Sequence, residues 1–145
     1  MSTDLLNSWT FWALLSALFA ALTAICAKVG VAEVNPDFAT LLRTAVVLLS
    51  LALLLRLTGQ YQALASISAK SYLFLLLSGL ATGASWLCYF RALKLGPASL
   101  VAPVDKLSVV LVALLGVSLL GERLELRQWC GIGLVGAGVA LLAWR

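Results

Sequence analysis

Five apolar runs govern what this chain can fold into: Trp9–Ala27, Phe38–Leu55, Tyr72–Phe90, Ala98–Leu120 and a last one ending at Trp144. That last run is Trp129–Trp144, or 126–144 if it starts at Leu126. A helix rises about 1.5 Å per residue and the hydrocarbon core is roughly 30 Å thick, so about 20 apolar residues cross it. None of the runs alternates polar with apolar residues as a barrel strand would. The sequence therefore predicts an all-α integral membrane protein with five transmembrane helices, 9–27, 38–55, 72–90, 98–120 and 126–144, in a single domain over 1–145. Composition agrees: 63% of residues are hydrophobic and 11% charged, against roughly 45–50% and 25% in soluble domains.

The connecting segments GVAEVNPD, RLTGQYQALASISAK, RALKLGP and GERLELR hold most of the charges and turn residues. Trp9, Trp12, Tyr72, Trp129 and Trp144 stand at run ends, where an interfacial aromatic belt belongs. A net charge of +4 without a basic run argues against nucleic acid and places the cations among lipid headgroups. Cys26, Cys88 and Cys130 are isolated in apolar stretches and odd in number, so no disulfide framework or metal spacing is read. There is no His; neither a metal nor a cofactor is expected. The N-terminus has no Lys or Arg ahead of its apolar run, unlike a secretory signal peptide, so the first run is read as a retained span.

The fourth run carries the chemistry. Pro103, Asp105 and Lys106 lie inside it, where no water hydrogen-bonds broken backbone or solvates charge. Pro103 lacks an N–H and crowds the Ser99 carbonyl, so a kink or opening is expected there. As neighbours on a helix, Asp105 and Lys106 project about 100° apart, which predicts a separate partner for each. Their bland reading is a polar pair that only fixes conformation; the functional one is a substrate and coupling site.

Other polar residues fall on faces. Trp12, Ser16, Phe19, Thr23 and Cys26 share one face of the first helix; Ser78, Thr82, Ser85 and Tyr89 share one of the third. Such hydroxyl stripes are either interhelical glue or the wall of a polar cavity, with Trp86 beside the second stripe. Arg43 lies about 7.5 Å of helix rise beyond Phe38, shallow enough to snorkel to headgroups, or free to face inward as a partner for an anion. Gly79 and Gly83, and the small residues Gly133, Gly136, Ala137 and Ala140 of the last helix, read as packing faces. Gly96-Pro97 reads as a glycine C-cap followed by a helix start, loop two as a candidate short amphipathic helix, and Glu122, Arg123, Glu125 and Arg127 as a solvated interfacial cluster.

These residues resemble the EamA repeat of the drug/metabolite transporter superfamily. The likeness rests on Tyr89, Ala92 and Leu93 as Tyr-x-x-Ala-Leu, on Pro103, on Gly121-Glu122 and on the glycine-rich last helix. It extends upstream through Ala27–Gly30 and Arg43 and covers essentially the whole chain. Short bacterial and archaeal proteins with one five-helix repeat and a PxDKLSVVL fourth helix are similar throughout. The resemblance implies one EamA-type repeat and a secondary carrier, often an exporter, of metabolites such as amino acids or of drugs. Members usually hold two repeats of opposite orientation around a central cavity, so a lone repeat implies a mate in a second chain. Small multidrug resistance proteins are of similar size but need a Glu in their first helix; this first run has no acidic residue.

Two function classes follow. The first is a multi-pass carrier in the inner (plasma) membrane of a prokaryote, a homodimer working by alternating access on a small-molecule substrate. Asp105, Lys106 and Pro103 would form its substrate and coupling site. Trp12, Ser16, Ser78, Thr82, Ser85, Trp86 and Tyr89 would line its cavity, with Arg43 as a charge partner. The second class is a non-transporting scaffold or a subunit of a lipid-handling complex. An enzyme is disfavoured, because no nucleophile–base pair or metal constellation is present.

Charge counting adds an orientation. One membrane face would hold Arg56, Lys70, Arg123 and Arg127, the other Lys28, Arg91, Lys94 and Arg145, so the Lys/Arg bias that sets topology is zero. A zero bias leaves two arrangements: insertion in both orientations with pairing into an antiparallel dimer, or a single orientation with a parallel dimer. The antiparallel arrangement has a direct test. A single cysteine appended after Arg145 in a Cys-free variant should label from outside intact cells in a substantial fraction of molecules. Near-complete or near-zero labelling would contradict it.

Overall fold

The computed structural model describes residues 8–144. Residues 1–7, read above as leading into a retained span, and the basic Arg145 lie outside the described residues. The helices are α1 (Trp9–Gly30), α2 (Pro36–Thr58), α3 (Ala69–Leu95), α4 (Ala98–Asp105), α5 (Ser108–Leu119) and α6 (Leu126–Ala143). With Ala98–Leu119 taken as one interrupted span, five helical segments are long and apolar enough to cross a membrane. The fold is all-α: 82% of it is helical, with no strand among the described residues, which removes the barrel alternative. Several helices outrun their apolar runs. α1 continues to Gly30 and α3 from Ala69 to Leu95, carrying Lys28, Lys70, Arg91 and Lys94 on their end turns. Loop two contains a single 3₁₀ turn, Leu64–Ser66, in place of the expected amphipathic helix.

Leu75, Leu114, Leu134 and most other large apolar side chains of the spans are exposed. Lipid tails are as apolar as Leu, so nothing drives these side chains inward. Polar groups are satisfied locally instead. The hydroxyls of Thr40, Thr44, Ser50, Thr82 and Ser118 donate to the carbonyls of Pro36, Thr40, Val46, Ser78 and Leu114 at 2.7–2.8 Å. Each closes a bond to the preceding turn and hides its donor from lipid.

The chain forms two compact units. The first, Cys26–Leu95, holds the last turn of α1 with α2 and α3, and α2 packs along α3. Asn35 caps α2: its Oδ1 accepts from the N–H groups of Asp37 and Phe38 at 2.9 and 3.2 Å, with Pro36 opening the helix. Gly59, at φ +65°, closes α2 in the left-handed region, and Gln60 N–H reaches Leu55 O.

The C-terminal ends of α1 and α3 cap each other through lysines. Lys28 Nζ donates to Leu93 O at 2.6 Å, and Lys94 Nζ donates to Val31 O at 2.9 Å and to Ala32 O. Both ammonium groups thus meet orphan carbonyls at the negative end of a helix dipole. Gly96 directly follows α3 without a positive φ, and Lys28 serves the Leu93 carbonyl at the same end. Arg91 completes the rim with a bidentate bond to Asp37, Nε–Oδ1 3.0 Å and Nη2–Oδ2 2.8 Å.

The second unit comprises 8–25 and 96–144, that is, most of α1 with α4, α5 and α6. Both α4 and α5 pack on α6. Gly121, at φ +68°, turns the chain after α5 so that Glu122 N–H reaches Gly116 O at 3.1 Å. The Glu122 carboxylate then lies over Gly116, 2.5 Å from where a Cβ would stand, while the residue stays exposed. Glu125 is likewise the N-cap of α6, its N–H donating to Gln128 Oε1 at 2.7 Å.

The small residues of α6 divide between two faces. A Cβ at Gly136 would meet Val110 Cγ2 at 3.2 Å, and Val139 on the same face is buried. Gly136 therefore packs within the unit. A Cβ at Gly133, Gly79 or Gly83 would meet no described atom within 4 Å, and Ala137 and Ala140 are exposed. Gly136→Leu should lower stability by roughly 1–3 kcal/mol through overpacking. Gly133→Leu and Gly79→Leu should leave the unfolding temperature in detergent unchanged. Equal losses at all three positions would contradict this division.

Candidate functional site

The fourth span breaks three residues after its proline. Pro103 has no N–H for Ser99 O, yet α4 continues to Asp105. Beyond it the bonding tightens: Lys106 N–H to Pro103 O at 2.9 Å, Leu107 to Val104 at 3.0 Å, Val109 to Lys106 at 3.0 Å and Val110 to Leu107 at 3.1 Å. These i→i−3 bonds form a 3₁₀-type turn between α4 and α5, a geometry weaker than the α ladder. The turn begins at the charged pair.

Here the structure departs from the helical-wheel expectation. Lys106 Nζ lies 3.3 Å from Asp105 Oδ2, so the two residues partner each other. The reason is local: the regular helix stops at Asp105, and a four-carbon lysine stem can fold back over a single residue. The result is a neutral pair, which lowers the cost of holding both charges within a span. Both side chains remain open, at 54% exposure for Lys106 and 38% for Asp105. Trp12 and Ser16 belong to the same unit on α1; both are exposed, and Trp12 meets Phe11 edge to face at 5.5 Å.

A second polar centre lies in the Cys26–Leu95 unit. The Arg43 guanidinium sits 4.1 Å from the Trp86 ring centroid and 5.7 Å from that of Phe90. It reaches across to α3. Cation–π contacts of this kind are worth about 1–2 kcal/mol, more as water is excluded. Phe90, 3% exposed, was not evident from hydroxyl periodicity; its signal is the i+4 spacing from Trp86. Ser78, Thr82 and Ser85 are exposed along α3 and Tyr89 is half-buried. The Thr82 hydroxyl already donates to Ser78 O, leaving only its acceptor side for a neighbour.

A family model described as EamA-like transporter family matches residues 7–144. The chain belongs to the EamA-like transporter family. A relative in a Sinorhizobium species, named "Uncharacterized transporter in cobO 3'region", is 62% identical over 137 residues, covering 94% of this chain and 97% of that protein. A second, "Uncharacterized transporter YxxF" of Bacillus subtilis, is 28% identical over 140 residues, covering 96% of this chain but only 43% of its own length. No solved structure matches. The EamA-like chain is thus a multi-pass membrane protein of a transporter family, here with one repeat's worth of helices.

Weak i→i−3 bonding should show in backbone dynamics. Amides of residues 106–110 should exchange hydrogen faster than those of α5 beyond Val112, and Pro103→Ala, which restores a donor to Ser99 O, should slow them. Uniform protection through the fourth span would contradict a break there.

Proposed function

We propose that this EamA-like protein is a homodimeric secondary carrier of small metabolites, with amino acids as the best-fitting class, working by alternating access in a prokaryotic inner membrane. The observation that carries the proposal is the exposed, mutually neutralised Asp105–Lys106 pair at the break in the fourth span. A zwitterion can exchange one internal ion pair for two external ones, its ammonium on Asp105 and its carboxylate on Lys106, without leaving net charge in the membrane. An empty carrier then recloses the pair, so both loaded and empty states stay neutral while they reorient. Export is the direction that the family resemblance favours.

The dimer rests on length. The Bacillus relative is more than twice as long as its match to this chain, and carriers of this kind rock two repeats around a midplane site. The Sinorhizobium relative is matched over 97% of its length and so also holds one repeat; a second copy would supply the other, and the balanced basic residues suit an antiparallel pair. Asp105→Asn and Lys106→Gln should each reduce transport in proteoliposomes by roughly 100-fold, as expected for loss of a charge-assisted contact of about 3 kcal/mol, with expression and oligomeric state intact. Normal transport by both variants would contradict the assignment. Misfolding of both would make the pair structural.

A further inference from the structure

Arg43 has a charge that the Asp105–Lys106 exchange does not use. Among the described residues the ion pairs are Arg91–Asp37 and Lys106–Asp105, so no carboxylate faces Arg43. The rings of Trp86 and Phe90 cover the flat face of the guanidinium, and Tyr89 lies within electrostatic reach. The five N–H donors point from its edges, in the plane, and stacking leaves them open. A half-buried cation whose face is covered by two rings and that makes no ion pair among the described residues is poised for an anion.

We propose that Arg43, clamped by Trp86 and Phe90, is a carboxylate-binding subsite on the α2–α3 pair. Three features point to this chemistry. A planar fork of N–H donors matches a carboxylate with two parallel bonds, and the same unit already makes that contact between Arg91 and Asp37. Arg43 lies six residues beyond Asp37, about 9 Å deeper along α2, and Trp86 five residues before Arg91, about 7.5 Å deeper along α3. The subsite is therefore below the rim where lipid phosphates reside. Last, Trp86 and Phe90 give an aromatic or apolar substituent next to the carboxylate a surface to lie on, so an apolar carboxylate should bind more tightly than acetate.

The inference rests on the carrier reading and deepens it by adding a carboxylate subsite distinct from the one assigned to Lys106, selective for carboxylates with an apolar or aromatic substituent; binding itself is measured without transport. The test uses the whole chain, with isotope-labelled arginine, in lipid-free maltoside micelles. The Arg43 Nε–Hε resonance, displaced by the Trp86 ring current, is identified by its loss in Arg43→Lys and its shift in Trp86→Phe. Acetate, glutamate and benzoate are titrated at constant ionic strength, with benzamide as the uncharged control and phosphatidylglycerol as the lipid arm. The expected result is a saturable shift of Arg43 with benzoate, weaker with acetate and absent with benzamide, while Arg91 stays put. By competition with a fluorescent aryl carboxylate, Arg43→Gln should weaken benzoate binding by roughly tenfold or more. The proposal is overturned if no carboxylate shifts Arg43, if benzamide acts like benzoate, if all arginines move together, or if only the lipid shifts it. Carboxylate binding without transport of any carboxylate would leave the subsite standing and remove the carrier reading instead.

Discussion

In hydrocarbon every backbone N–H and C=O must find its partner within the protein, and the architecture here follows from how each helix end and helix break meets that demand. Along the spans the α ladder suffices, and serine and threonine hydroxyls fold onto the preceding turn. Helix ends need more. Asn35 supplies acceptors at the start of α2, Gly59 a left-handed turn at its end, and Lys28 and Lys94 donate to carbonyls at the ends of α3 and α1. At the break near Pro103 the chain bonds to itself in a tighter turn. The one place where backbone regularity is given up is also where two opposite charges stand together.

That coincidence has a physical basis. A span with one weak turn can change shape there at lower cost than elsewhere, because fewer and poorer hydrogen bonds must rearrange. A charge placed at such a turn gains or loses its partner as the turn moves. In the proposed carrier, Asp105 and Lys106, closed on each other yet accessible, would couple occupancy to conformation, which alternating access requires. The rim of Lys28, Lys94, Arg91 and Asp37 does the opposite: multiple bonds across three helix ends hold one end of the Cys26–Leu95 unit fixed.

Much of the fold was legible because membrane spans obey length and hydropathy alone. Five apolar runs gave five spans, and Pro103 gave a break in the fourth. The break's position was less legible: proline removes a bond four residues upstream, but the regular helix ended downstream, where tight bonds could compensate. The lysine caps were hidden, since Lys28 and Leu93 lie 65 residues apart and no local pattern links them. For the site, the depth of Arg43 left snorkelling and an inward reach equally open; the structure adds that its guanidinium stacks on Trp86 of α3. Gly136 and Gly133 look alike in sequence, and only the place of Val110 separates them.

A carrier differs from a channel or a scaffold in that solute on one side accelerates the passage of solute from the other. The most direct measurement is therefore counterflow: purified protein in liposomes preloaded with a mixture of unlabelled amino acids, diluted into trace radiolabelled ones. The expected result is a transient, saturable overshoot of label for at least one amino acid, absent from protein-free vesicles. Overlapping time courses with and without protein, across the whole set, would contradict an amino-acid carrier built on this single repeat.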